Sequence, residues 1–123
     1  MKKIIIAAVL LLVLCGCGNS QSAESFEAKK ITCAEKDKVL KDKKAMLIDV
    51  RTEEEFNTKH LANAINIPFD KIVDTLKTYG TIDFNVPLIV YCKSGGRSGQ
   101  AAASLIKEGY KKVYDLGAMS NCE

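Results

Sequence analysis

The chain has 123 residues, room for one domain and no more. Hydrophobic residues make up 47% and charged residues 27%, ordinary for a globular protein. The formal net charge is +3, and without Lys2 and Lys3 it falls to 16 basic against 15 acidic residues, a balance that excludes any electrostatic case for a nucleic-acid partner.

Met1-Lys2-Lys3 is a positively charged start, and Ile4 to Leu14 is a run of eleven uncharged apolar residues. That run is short for a membrane-spanning helix and suits the apolar region of a secretory signal. Leu14-Cys15-Gly16-Cys17 follows. A leucine three before Cys17, with glycine directly before it, resembles the lipobox of bacterial lipoproteins. The resemblance implies a signal peptide over residues 1–16 and a diacylated Cys17. Cys15 fits less well, because bulky Leu14 would occupy the small-residue position. Residues 18–28 are rich in Ser, Asn, Gln and Glu and read as a flexible tether. An uncleaved N-terminal anchor is the alternative. Either way the expected location is extracytoplasmic, with the domain of residues 29–123 held to a membrane on its periplasmic or cell-surface face.

The first element of the domain is a helix. Thr32-Cys33-Ala34-Glu35 has the capping-box pattern, in which a threonine caps the helix and a glutamate three residues on reaches back. The helix should run to about Lys41 with Val39 and Leu40 inward. Ala45 to Val50 is an apolar run broken by Asp49, the pattern of a strand buried on both faces of a parallel sheet. Thr52-Glu53-Glu54-Glu55 is a second capping box, opening a short helix to about Lys59. Its three acids read as a solvated start that complements the helix dipole. Ala64 to Ile67 is a short strand ended by Pro68, and Asp70 to Tyr79 is a helix with Ile72, Val73 and Leu76 inward and Gly80 as its stop. Val86 to Tyr91 is the next strand. A glycine-bearing loop leads to a helix that starts near Gln100 and ends at Gly109, and Lys112 to Leu116 is the last strand. Strands and helices alternate with short connections, which predicts an α/β domain: a mainly parallel sheet of about five strands with helices on both faces.

The loop between the Val86 to Tyr91 strand and the helix after it carries the chemistry. Cys92 stands at the carboxyl end of a strand and before a helix, where open α/β sheets place their sites. A thiol attacks as thiolate and must be acidified. Lys93 and Arg97 bring positive charge, Gly95 and Gly96 let backbone N–H groups turn inward as an anion nest, and the helix adds the positive end of its dipole. Ser94 and Ser98 add hydroxyl donors. Four residues separate Cys92 from Arg97, one fewer than in the C-x5-R loop of cysteine phosphatases. The smaller loop suits one extra sulfur on the cysteine better than a phosphoryl group. Cys33, Cys92 and Cys122 show no metal-ligand spacing, so no metal site is expected.

Several stretches resemble the single-domain rhodanese (thiosulfate sulfurtransferase) family: Asp49-Val50-Arg51, Glu55-Phe56, His60 to Pro68, Cys92 to Ser98 and Leu116-Gly117, in order and at the family's spacing. The resemblance implies a rhodanese-like fold and Cys92 as the nucleophile. Cys92 would take the outer sulfur of thiosulfate or another small anionic sulfur donor and pass it to a thiol or protein-cysteine acceptor. Lys93, Ser94, Gly95, Gly96, Arg97 and Ser98 would bind substrate and persulfide. No metal or organic cofactor is implied. His60, the only histidine, is read as structural, with a general base as the rival reading. Asp49 and Arg51 are read as an ion pair supporting the site, with a catalytic role as the rival.

The chain departs from the family's pattern at Asn63, where glycine is common, at Gly117-Ala118, where a glycine pair is usual, and at Cys122, near a position often held by tryptophan. The first and last strands of the fold lie side by side, so Cys33 and Cys122 are either a disulfide or two free thiols. Three rival functions stay open: a persulfide carrier without turnover, a phosphatase or arsenate reductase, and a redox element in which Cys122 resolves Cys92.

Overall fold

A computed structural model describes residues 27–80 and 83–123. The expected signal, Cys15, the expected lipidation site Cys17 and most of the tether lie outside the described residues. Ala28, at the end of that tether, packs against the core.

Five strands form one sheet: β1 (Lys29–Lys30), β2 (Met46–Asp49), β3 (Ile65–Asn66), β4 (Leu88–Cys92) and β5 (Val113–Ala118). Four α-helices connect them: α1 (Cys33–Val39), α2 (Glu53–Thr58), α3 (Ile72–Tyr79) and α4 (Gly96–Glu108). Short 3-10 turns precede α3 (Phe69–Lys71) and follow β5 (Met119–Cys122). The strand order is β1-β5-β4-β2-β3 and every pairing is parallel. β1 is an addition to the elements read from sequence. Its two exposed residues carry no apolar signal, and it forms because the edge of β5 offers it hydrogen bonds, continued by Ile31 N–H to Asp115 O at 3.1 Å.

The sheet is buried on both faces because β4 is apolar throughout. Leu88, Val90 and Cys92 point into one cluster with Ile48, Val50, Ile72, Leu76, Ala101, Ala102 and Leu105. Ile89 and Tyr91 point into the other, with Leu47, Leu116, Ile31 and, at its margin, Val39 and Leu40 of α1. Strand side chains alternate by two, so β4 divides them between α3/α4 on one side and α1 on the other. α4 turns Ser98, Ala101, Ala102 and Leu105 inward, the i, i+3, i+4, i+7 stripe of a helix lying on a sheet. Its alanines let it come close enough to cover Cys92.

Asn63 takes a left-handed backbone (φ 69°), the conformation in which asparagine is the best-tolerated residue after glycine. β5 is longer than its apolar run because it bulges: Val90 faces Asp115 but Tyr91 faces Gly117, so Leu116 is the extra residue. Gly117, at φ 81°, absorbs that irregularity and lets pairing resume at Cys92–Ala118. The chain end is held by a disulfide between Cys33, the first residue of α1, and Cys122, with Cα atoms 5.3 Å apart. Cys92 is the free cysteine among the described residues. With Cys122 bonded to Cys33, the redox reading in which it resolves Cys92 does not stand.

Candidate active site

Cys92 is the last residue of the central strand β4, at the carboxyl end of the sheet. The chain then turns at Lys93-Ser94-Gly95 and enters α4 at Gly96. The helix therefore starts four residues earlier than its apolar spacing suggests. Gly95 makes this possible: it caps α4 at φ 104°, a conformation side-chain-bearing residues avoid. The consequence is a tight cradle. Gly95 N–H points at the Cys92 sulfur, with N and Sγ 2.9 Å apart.

Cys92 and Ser98 are both fully buried. Burial pushes the Cys92 thiol up, and hydrogen bonding outweighs it. The Ser98 N–H and hydroxyl, then the N–H groups of Gly95 and Ser94, bring the thiol below its ordinary value. The single hydroxyl proton of Ser98 has two acceptors in reach, the thiolate and the Gly95 carbonyl at 3.1 Å. Of the two cations expected to acidify the thiol, Arg97 does attract the Cys92 thiolate, as a smaller cause than these hydrogen bonds. The main lowering comes from the backbone turn and one buried serine. Ser94 contributes its N–H and carries an exposed side chain.

Arg97 is engaged elsewhere. Its Nη1 and Nη2 donate to Glu55 Oε1 and Oε2 at 2.8 and 3.2 Å, a two-pronged pair between the Cys92 loop and α2. Arg97 holds the Glu55 carboxyl down at about 2, helped by the Thr52 N–H. Glu55 is therefore no solvated helix start but the anchor of the loop. Lys93 is exposed, and its side chain has no partner among the described residues.

The other side of the site is a buried ion pair. Arg51 Nε donates to Asp49 Oδ1 at 2.9 Å and Nη2 to Asp49 Oδ2 at 2.7 Å. Nη2 also donates to the Lys59 carbonyl at 2.6 Å. Asn66 Nδ2 bridges the carbonyls of Asp49 and Arg51, both at 3.0 Å. Arg51 sits over the ring of Tyr91, 5.9 Å from its centre. The Tyr91 phenol is pushed up, first by burial and further by Asp49, and its oxygen accepts the Leu61 N–H at 3.0 Å. These groups fix the β2–α2 corner beside the loop. His60 belongs to that corner too: its ring stacks on Phe56 at 3.7 Å, and Nδ1 lies 2.8 Å from the Phe56 carbonyl. A cleft of about 480 Å³ opens here, lined by Arg51, Glu55, Lys59, Lys93, Met119 and Ser120 among others.

The arrangement holds an acidified sulfur at a helix N-terminus, ringed by inward N–H groups, and a cleft large enough for a small molecule opens at the next residue, Lys93. Sequence reasoning found Cys92, its loop and the Asp49–Arg51 pair. It missed Glu55, Tyr91 and Asn66. Glu55 and Asn66 both stand in stretches that resemble the family, but that likeness gave neither a role, and the capping box of Glu55 spoke of a helix start alone.

Comparison with known proteins agrees with this geometry. The profile of the rhodanese-like domain family matches residues 32–120. The thiosulfate sulfurtransferase PspE of Escherichia coli (strain K12) is 36% identical over 74 residues, which cover 60% of this chain and 70% of PspE. The thiosulfate sulfurtransferase GlpE of Pseudomonas syringae pv. syringae (strain B728a) is 30% identical over 82 residues, covering 67% of this chain and 74% of GlpE. Among solved structures, a rhodanese with anions from E. coli superimposes with a TM-score of 0.58 at 35% identity, over 63% of this chain and 89% of that one.

Proposed function

The chain belongs to the rhodanese-like family, and from that premise we propose that it is a thiosulfate sulfurtransferase working through a Cys92 persulfide. The observation that carries the reading is the acidified Cys92 sulfur, 2.9 Å from the Gly95 nitrogen at the head of α4.

In the first half-reaction the Cys92 thiolate attacks the outer sulfur of thiosulfate. The S–S bond of thiosulfate breaks, sulfite leaves with the bonding electron pair, and Cys92 carries the persulfide anion. In the second, a thiolate or cyanide attacks the outer persulfide sulfur, the Cys92 S–S bond breaks, and the Cys92 thiolate returns. This is a two-step covalent exchange. The N–H groups that favour the thiolate also favour the persulfide anion, and unpartnered Lys93 draws the anionic donor toward the cleft.

Intact mass after incubation with thiosulfate tests the proposal. The expected result is a gain of one sulfur atom, absent in Cys92→Ala and discharged by cyanide. No gain with any sulfane donor refutes sulfur transfer, and a gain that cyanide does not discharge makes the protein a carrier.

We also propose that Cys17 anchors the domain to a membrane outside the cytoplasm, on the lipobox pattern Leu14-Cys15-Gly16-Cys17. The full chain should then fractionate with membranes and Cys17→Ser should release it; equal distribution of the two contradicts the anchor.

A further inference from the structure

The cleft that opens at Lys93, the residue after Cys92, is built from pieces of different standing. Arg51, Thr58 and Lys59 come from the β2–α2 region, and Lys93 is the residue after the nucleophile. The remaining wall, Met119, Ser120 and Glu123, is the turn that ends the chain as described. That wall continues from β5, is held to it by Asn121 Nδ2 donating to the Leu116 carbonyl at 2.9 Å and by Met119 packing on the core, and is tied to the rest of the molecule at two points. Lys59 Nζ meets Glu123 Oε2 at 2.9 Å, an exposed pair that is weak in water. The Cys33–Cys122 disulfide joins the same turn covalently to α1, across 89 residues of sequence, on the face of the sheet away from α4. The disulfide is thus the covalent tie between that wall and α1.

The charges of the lining side chains pair off with one exception. Arg51 is held by Asp49, Glu55 by Arg97 and Lys59 by Glu123. Lys93 alone is left without a partner among the described residues. A volume of about 480 Å³ with one spare positive charge matches a small molecule with one anionic group. It exceeds the needs of a single oxyanion.

We propose that the C-terminal turn, held in place by the Cys33–Cys122 disulfide, is the specificity-determining wall of the acceptor site. It confines the persulfide to small thiols bearing an anionic group, which Lys93 meets, and keeps thiols on a protein surface out. This rests on the sulfurtransferase reading above and goes on to name the acceptor class.

The test separates the two half-reactions. The protein is loaded with thiosulfate, freed of excess donor, and discharged with 3-mercaptopropionate, with neutral 2-mercaptoethanol, or with a small reduced protein thiol. The wild type should discharge fastest to 3-mercaptopropionate, and Lys93→Met should erase its advantage over 2-mercaptoethanol. Cys33→Ser/Cys122→Ser should still load from thiosulfate, because the Gly95 and Ser98 cradle is untouched. Its rate with the protein thiol, relative to 3-mercaptopropionate, should rise about tenfold, the lower end of what one pocket contact is worth. Exposed Ser120→Trp leaves the disulfide in place and should slow 3-mercaptopropionate discharge about tenfold, more than it slows loading. An unchanged acceptor ratio in the double variant overturns the proposal. If that variant does not fold, wild-type discharge by Ser120→Trp overturns it instead. Failure of the wild type to load at all sinks the sulfurtransferase reading and not the wall.

Discussion

Two four-residue stretches open helices in the same way and end in different employment. Thr32 to Glu35 and Thr52 to Glu55 both form complete capping boxes: each threonine hydroxyl accepts the glutamate N–H at 3.1 Å, and each glutamate reaches back to the threonine N–H. Glu35 stops there. The Thr32 N–H holds its carboxyl somewhat low, and the side chain otherwise faces water. Glu55 makes the same bond at 3.1 Å and adds two more to Arg97. One motif caps a helix, while the other caps a helix and fixes the Cys92 loop. A local motif therefore reports its local task and says nothing of a second one.

The widest gap between the two should appear in turnover. Glu55→Ala frees Arg97 and loosens the loop, and thiosulfate–cyanide turnover should fall about tenfold to a hundredfold, the penalty for misplacing a reacting group by a fraction of an ångström or more. Glu35→Ala should leave turnover within experimental error of wild type. Equal losses would show that Glu55 acts only as a cap.

Acid unfolding sharpens the same contrast. The folded Glu55 carboxyl, at about 2, lies below its ordinary value near 4.5. A depressed carboxyl stabilises the fold fully above its unfolded value, and that contribution is lost as pH falls through the folded one. Wild type should therefore lose stability between about pH 4.5 and about pH 2 more steeply than Glu55→Gln in chemical denaturation. Glu35 shifts in the same direction, so Glu35→Gln should flatten the curve too, but by less, since it lacks the arginine.

The threonines should differ least. Thr32→Ala and Thr52→Ala each remove a cap, at about 1 kcal/mol in a denaturant titration. Only Thr52→Ala should also lower turnover, modestly, because its hydroxyl, 3.1 Å from Glu55 Oε1, helps aim the carboxylate at Arg97. A turnover loss in Thr32→Ala instead would undo the distinction.

Much of the architecture was legible because its causes are short-range. The apolar run of β4, the helical stripe of α3 and the glycine stops at Gly80 and Gly109 are patterns of period two or about four, visible without a partner. The thiol at a strand end, the glycine turn after it and the Asp49–Arg51 pair two residues apart were legible for the same reason. The early start of α4 was not, because Gln100 marks where apolar spacing resumes, whereas Gly95's backbone decides where the helix begins. Nor was β1, which owes its existence to the edge of β5.

What the sequence by itself determined is the alternation of elements, the parallel sheet buried on both faces, and the thiol at its carboxyl end. These follow from side-chain size, polarity and spacing along a few residues. Tertiary structure alone decided which acid serves the site, how the thiol is acidified and what walls the cleft. Glu55 and Arg97 are 42 residues apart, and Cys33 and Cys122 are 89 apart. They meet because strand order sets β4 between β2 and β5, bringing the β2–α2 corner, the Cys92 loop and the end of β5 together at the carboxyl end of the sheet. No window of a few residues contains that neighbourhood, so no local pattern could announce it.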